Sequence, residues 1–261
     1  DCLLSRGLGD VYKRQIYDYV IVDEASQVDL TTGVLAMSCA KNMVIVGDLK
    51  QLPNVVPEDV RKTIAQLSIG NNIALNYRYE ENSLLSSMCK TYENISRTLL
   101  REHYRCHPKI IGFCNQKFYN NQLVIMTQDN GESDVLKAYI TVEGNHARGH
   151  FNQRQIDEIT NNILPELNSS DVGIIAPYKD QTSALAEEIT GQIDISTVHK
   201  FQGREKDDII ISTVDNEITE FTDNPNMLNV AVSRAKKRMR IVVSDSEKNG
   251  SCLLYTSDAA D

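Results

Sequence analysis

Tyr19-Val20-Ile21-Val22-Asp23-Glu24-Ala25-Ser26 is the stretch on which the fold turns. Four β-prone residues with no polar face describe a strand covered on both sides, and an acidic turn follows at once. The pattern recurs. Met43-Val44-Ile45-Val46 runs into Gly47-Asp48, and Val172-Gly173-Ile174-Ile175-Ala176, Ile209-Ile210-Ile211-Ser212 and Arg240-Ile241-Val242-Val243 read as buried strands of the same kind. Longer amphipathic stretches at residues 108–118, 153–167, 180–189 and 227–236 are predicted helices. Apolar strands spaced by helices make an α/β chain of doubly wound character, with parallel sheets covered by helices.

The 261 residues leave room for one large domain or two smaller ones. A polar break at residues 92–98, ahead of the strand-like Leu99-Leu100, sets the expected boundary, and residues 127–134 and 144–149 read as surface loops. A formal net charge of -9 excludes a protein that coats nucleic acid through bulk charge, so any such contact must be local. No apolar run approaches the roughly 18 residues that span a bilayer, so no membrane partner is expected. Six cysteines lie scattered without a CxxC pair, which favours free thiols and a cytoplasmic location over a zinc site or a disulfide framework. Residues 1–15 and 249–261 fit no neighbouring element, and each end carries a Cys-Leu-Leu; both read as adapter-like, non-native segments and are set aside. The native chain is expected to continue beyond them, at least toward the N-terminus.

Five constellations carry chemistry. At the end of the first strand, Asp23 can hold a hydrated magnesium ion and Glu24 can polarise a water attacking a γ-phosphate; a helix cap or a solvated loop is the plainer alternative. Gly47 allows a tight turn at the second strand end, where Asp48 and Gln51 reach the same sheet edge and Gln51 can bond both a γ-phosphate and the attacking water. In Arg101-Glu102-His103-Tyr104-Arg105-Cys106-His107-Pro108, the four-residue spacing of the two histidines means little, because Pro108 disfavours helix before it. Arg105 can stabilise charge on a transferring phosphoryl group, or it can be an ordinary surface arginine. The run from Ile195 to Asp207, with Thr197, His199, Lys200, Gly203 and Glu205, is dense in donors between two strands and suits phosphate or ribose contact. Last, Val230 and Arg234 share a face at helical spacing, which makes Arg234 a second candidate finger. The basic residues Lys236, Lys237, Arg238 and Arg240 read equally as a solvated helix end or a nucleic-acid contact.

In this order and at these spacings, the segments resemble the motifs of superfamily 1 helicases, in the branch of the nonsense-mediated-decay RNA helicase and the Okazaki-fragment nuclease-helicase. Asp23-Glu24-Ala25-Ser26 resembles motif II and Gly47-Asp48 through Gln51-Leu52-Pro53 motif III. Tyr104-Arg105-Cys106-His107-Pro108 resembles motif IV, Gln202-Gly203-Arg204-Glu205 motif V and Val232-Ser233-Arg234-Ala235 motif VI.

The resemblance implies RecA-like domains: a C-terminal part of a first over residues 16–96 and a complete second over 97–248, with ATP in the cleft between them. It implies that Asp23 and Glu24 serve magnesium and water, that Gln51 senses the γ-phosphate with Asp48 beside it, and that Arg105 and Arg234 are arginine fingers. Glu205 would contact the ribose and Gly203 the same nucleotide; Thr197, with His199 and Lys200, would lie on the path of a single strand of DNA or RNA. The implied function is ATP-dependent helicase action. The alternatives are a translocase or nucleoprotein remodeller that does not separate strands, and a non-hydrolysing nucleic-acid-binding module. A GxxxxGK[ST] phosphate loop occurs nowhere in these 261 residues. The polypeptide alone is therefore expected neither to bind ATP tightly nor to unwind a duplex, and micromolar ATP binding by it would contradict that expectation.

Overall fold

The structure, a computed structural model, describes residues 16–142, 147–148, 150–167, 169–216, 219 and 223–244. The segments set aside as adapter-like, residues 245–248 of the expected second domain and most of the expected loop at 144–149 lie outside the described residues. The chain divides into two compact units between Thr98 and Leu99.

In the first unit, strand β1 (Tyr17–Val22), helix α1 (Leu30–Met37) and strand β2 (Ala40–Ile45) form a crossover in which the strands pair in parallel, Val20 opposite Met43. Asp29 starts α1 by accepting the amide and hydroxyl of Thr32, at 3.0 and 2.7 Å. Helices α2 (Glu58–Gly70) and α3 (Leu84–Thr91) follow, and Gly33 lets α1 lie against Leu84, which an added Cβ would meet at 2.6 Å. The strands were expected to be buried, but Tyr19 is 66% and Ile21 68% exposed. Among the described residues, two strands and these helices cover too little of the sheet to take both faces from water.

The second unit is built on a five-stranded sheet, parallel throughout, in the order β5-β11-β10-β8-β9. Its strands are β5 (Leu136–Thr141), β8 (Val172–Ala176), β9 (Asp194–Thr197), β10 (Lys206–Ser212) and β11 (Ala235–Ser244). The short pairs β3 (Glu102–His103) with β4 (Val124–Ile125), and β6 (Ala147–Arg148) with β7 (Phe151–Asn152), lie outside it. Helix α4 (Pro108–Phe118) matches the predicted 108–118, with His107 as N-cap and Pro108 in the first turn. Helix α5 begins at Gln153–Glu158 and runs through a π-helical turn, Ile159–Ile163, to Leu164–Glu166. Ile156, Ile159 and Ile163 from α5 and Leu185 from α6 (Lys179–Glu188) pack on Ile174, Ile210 and Val242 of one sheet face. Gly173 faces the other way, where an added Cβ would meet Phe201 of the short α7 (Val198–Phe201) at 2.5 Å and Ile209 at 2.9 Å. With helices on both faces, the predicted doubly wound α/β class holds.

Several sequence expectations need correction. The helix read at 227–236 is α8 (Pro225–Val232); Ser233 caps it, and Ala235 already pairs with Lys206 as the start of β11. Tertiary pairing overrides the helical period there. The basic run that follows is therefore strand and not a solvated helix end. Lys236 and Lys237 pair with Asp207 at 3.0 and 2.8 Å, Arg238 grips the buried Asp208 through two nitrogens, and Arg240 donates to the Asp134 carbonyl at 2.6 Å. Leu99 and Leu100 are exposed and form no strand. Residues 195–197, taken as part of a connection between strands, belong to β9.

Candidate functional site

In the first unit, the segments at residues 23–26 and 47–53 meet at the carboxyl ends of β1 and β2. The Ala25 amide donates to Val46 O (2.9 Å), the Asn54 amide to Ser26 O (2.9 Å), and the Leu85 amide to Ala25 O (3.1 Å). Gly47 is needed less for its turn than for closeness: a Cβ there would sit 3.1 Å from the Ala25 nitrogen and 3.2 Å from that of Ser26. Asp23, Glu24, Asp48 and Gln51 thus reach one sheet edge, as expected. Glu24 has φ 50°, an uncommon backbone state for a residue with a side chain, of the sort often held at functional positions. Its exposed carboxylate has a 3.4 Å contact from the Gln27 amide. Asp23 accepts the Glu24 amide at 2.8 Å; Asp48 accepts the Lys50 amide at 2.8 Å and lies 3.5 Å from the Gln51 side-chain nitrogen. Hard oxygen donors of this kind fit a magnesium ion that keeps most of its waters.

In the second unit, Glu205 immediately precedes β10 and Arg234 immediately precedes β11, so both lie at the amino edge of the sheet. Gly203, at φ +81°, turns the chain from α7 toward Glu205 in a conformation that suits glycine. Arg105 joins them: its Nε lies 2.6 Å from Glu205 Oε2. The backbone beside Arg105 is pinned. The Cys106 amide donates to His103 Nε2 (2.9 Å), the His107 amide to Lys236 O (2.7 Å), and the Lys206 amide to Arg234 O (3.0 Å). Arg234 is buried and donates to Val230 O at 3.1 Å and Ser233 Oγ at 3.0 Å. The shared face with Val230 thus becomes a direct hydrogen bond after the helix has ended.

Burial, with the Arg105 and Arg234 guanidinium groups, holds His103 down at a pKa of about 4, and burial pushes the Cys106 thiol up to about 11. His103 is neutral in the fold, whereas a free histidine ionises near 6.5. The unfolded chain then binds the extra proton as pH falls, so this contribution to stability is complete above about 6.5 and is lost toward about 4. A His103→Gln variant should show a shallower fall of unfolding free energy across that window in denaturant titrations. An unchanged slope would remove His103 from the acid response.

His107, Asp129 and Glu132 come close enough to hold a metal ion. However, His107 Nδ1 accepts the Lys109 amide at 3.2 Å, which leaves the ring proton of the neutral imidazole on Nε2. Nε2 lies 3.3 Å from Glu132 and 3.6 Å from Asp129, a proton-mediated contact and not a lone pair offered to a metal.

Thr197 ends β9 and lies at the opposite, carboxyl edge, buried, with His199 and Lys200 exposed on α7. The fourth constellation is therefore split: Thr197 stands at one edge of the sheet and Gly203-Arg204-Glu205 at the other, with α7 between them. The same carboxyl edge holds a buried polar network that the sequence reading missed. Gln155 Oε1 accepts from Ser212 Oγ (2.7 Å) and from the Val214 amide (2.9 Å), while Asn152 donates to Val214 O (2.8 Å). Gln181 accepts the Asn152 amide (2.8 Å) and donates to Ser212 Oγ (3.0 Å). Between these clamps Val214 has φ 71°, and Asp215 N bonds to Thr213 O, giving a positive-φ γ-turn around a β-branched residue. Asp215 accepts the Tyr178 hydroxyl at 2.7 Å, and Tyr178 stacks on His150. The spacing Asn152-x-x-Gln155 ahead of an apolar helix is a capping pattern and was a usable signal; the partners 57 to 62 residues away were not.

Comparison with known families and proteins bears on the class that the motifs resemble. A family model described as an AAA domain matches residues 80–246, and a second AAA-domain model matches residues 4–58, beginning inside the stretch set aside as adapter-like. The chain belongs to this AAA-domain family, in the superfamily 1 helicase class that its motifs resemble. An uncharacterized ATP-dependent helicase of Caenorhabditis elegans is 29% identical over 84% of this chain and 15% of its own length. An uncharacterized ATP-dependent helicase of Methanocaldococcus jannaschii is 25% identical over 91% and 37%, and the DNA replication ATP-dependent helicase/nuclease of Schizosaccharomyces pombe is 27% identical over 87% and 18%. The chain thus spans well under half the length of the curated relatives it matches. Among solved structures, the C-terminal domain of a possible DNA helicase from Lactobacillus plantarum covers 60% of this chain and 95% of its own, at 16% identity and a TM-score of 0.43, too distant to carry weight.

Proposed function

We propose that the complete protein is an ATP-driven motor of the helicase type, which couples ATP hydrolysis to movement along a single strand of DNA or RNA. The observation that carries this reading is the convergence of Arg105, Glu205 and Arg234, from three separate segments, at the amino edge of one parallel sheet. The first unit would supply Asp23 toward a hydrated magnesium ion, Glu24 to take the proton of the attacking water, and Gln51 to orient that water. Magnesium, when bound, would neutralise phosphate charge. The second unit would supply Arg105 and Arg234 to the phosphates and Glu205, beside Gly203, to the ribose. Thr197, with His199 and Lys200, would meet the nucleic-acid backbone. With Thr197 and Glu205 at opposite edges and α7 joining them, a shift on the strand side has a short covalent route to the nucleotide side. Family membership and helicase-named relatives support the same reading.

The domain limits belong to this proposal: a part of a first RecA-like domain over 16–96 and a second over 97–248. So does a cytoplasmic location, supported by the free cysteines Cys39, Cys89, Cys106 and Cys114. Among the described residues, no helix is long and apolar enough to cross a membrane. A strand-displacement assay on the complete gene product tests the motor. Unwinding of a tailed duplex with ATP is expected. Turnover without strand separation would leave a translocase, and neither activity would leave a binding module.

A further inference from the structure

Glu205 sits between two cations in sequence, yet neither Arg204 nor Lys206 is the partner it meets. Arg204 is held by Asp194 at 2.9 Å and Lys206 by Asp171 at 3.1 Å. Glu205 instead meets Arg105, one hundred residues earlier in the chain, at 2.6 Å. Both side chains of that pair are 43% exposed, so a ligand can reach them, while the backbones behind them are fixed. Cys106 and His107 tie the Arg105 segment to His103 and Lys236, and the Arg204 and Lys206 amides tie the Glu205 segment to Phe201 and Arg234. Separating the pair therefore needs only side-chain rotation. Held as it is, the Arg105 charge is offset by a carboxylate at contact distance and is poorly placed to stabilise charge on a phosphoryl group.

We propose that Glu205 is a specificity-determining latch on Arg105. It releases the guanidinium when a ligand brings a sugar hydroxyl for the carboxylate together with its phosphates, and so favours nucleoside triphosphates over bare polyphosphates. This rests on the motor reading, and in particular on a phosphate role for Arg105. A nucleoside triphosphate gives Glu205 a hydroxyl donor and draws Arg105 toward the phosphates in one event. Inorganic tripolyphosphate has nothing to offer Glu205 and must compete with it for Arg105.

The test uses the complete gene product and compares kcat/KM for ATP and for inorganic tripolyphosphate. Glu205→Ala and the more conservative Glu205→Gln are measured beside the wild type, with thermal melts as a check on folding. Loss of the latch should raise tripolyphosphate hydrolysis about fivefold, the scale of a half-exposed ion pair, while ATP hydrolysis falls. The gain should vanish when Arg105→Ala is added. Tripolyphosphate hydrolysis that stays level or falls in both Glu205 variants would overturn the latch and leave Glu205 a simple sugar or structural contact. A gain that survives without Arg105 would overturn it too. Absence of ATP turnover in the wild type would instead sink the motor reading, and the latch with it.

Discussion

Arg105→Ala in the complete gene product is expected to lower ATP turnover by about 10³–10⁵-fold, the range for removal of an arginine finger. The same change should scarcely alter stability. The Arg105 side chain is half-exposed, and its ion pair with Glu205 is of a kind worth about 0–1 kcal/mol. The bonds that shape this segment come from the Cys106 and His107 amides and survive the substitution. Steady-state ATPase and a thermal melt on one preparation check both halves. Near-normal turnover would remove Arg105 from the phosphate site. Arg234 makes a useful contrast. Buried and bonded to Val230 O and Ser233 Oγ, it is part of the link from α8 to β11, so Arg234→Ala should lower activity and melting temperature together.

The second large effect is on stability. Gln155 is fully buried and its carbonyl oxygen accepts two hydrogen bonds, one of them from the amide of the strained Val214. Gln155→Leu keeps the volume but leaves the Val214 amide and the Ser212 hydroxyl without that acceptor, although Ser212 retains Gln181. An orphaned buried donor costs about 1–3 kcal/mol, and a residue held at positive φ stores about 1–3 kcal/mol that the clamp no longer opposes. A loss of about 3 kcal/mol or more in unfolding free energy is therefore expected, together with faster hydrogen exchange at the Val214 amide. A variant that unfolds at the wild-type denaturant midpoint would show that the network is not what holds the carboxyl edge together.

The parts of this structure legible in sequence are those where one local signal dominates. Val172–Ala176 and the run Ile209-Ile210-Ile211 are apolar on both faces, and only the middle of a covered parallel sheet satisfies such a run. His107-Pro108 fixed the start of α4 because proline and a cap act within a single turn. The edge strand Leu136–Thr141 escaped notice, since Lys137 and Tyr139 alternate with less polar neighbours and both reach out to Glu166. Arg234 was put on a helix because the periodicity of α8 runs on past Val232, whereas pairing of Ala235 with Lys206 ends the helix first. The residue types of the candidate site were readable from motif order. Their partners were not: Arg105 with Glu205, Gln155 with Val214 and Lys237 with Asp207 all join segments remote in sequence, and no local propensity encodes such pairings.

Central to all of this is hydrolysis of ATP with Glu24 as the base, and it is tested most directly by one comparison. ATPase of the complete gene product is measured with and without single-stranded DNA or RNA, for the wild type and for Glu24→Gln. Glu24 is exposed and weakly bonded, so the substitution should leave the fold intact. The expected result is wild-type turnover that the single strand stimulates, falling about 10²–10⁴-fold in Glu24→Gln, as for loss of a general base. Equal turnover in the two proteins, or none in the wild type, would contradict it.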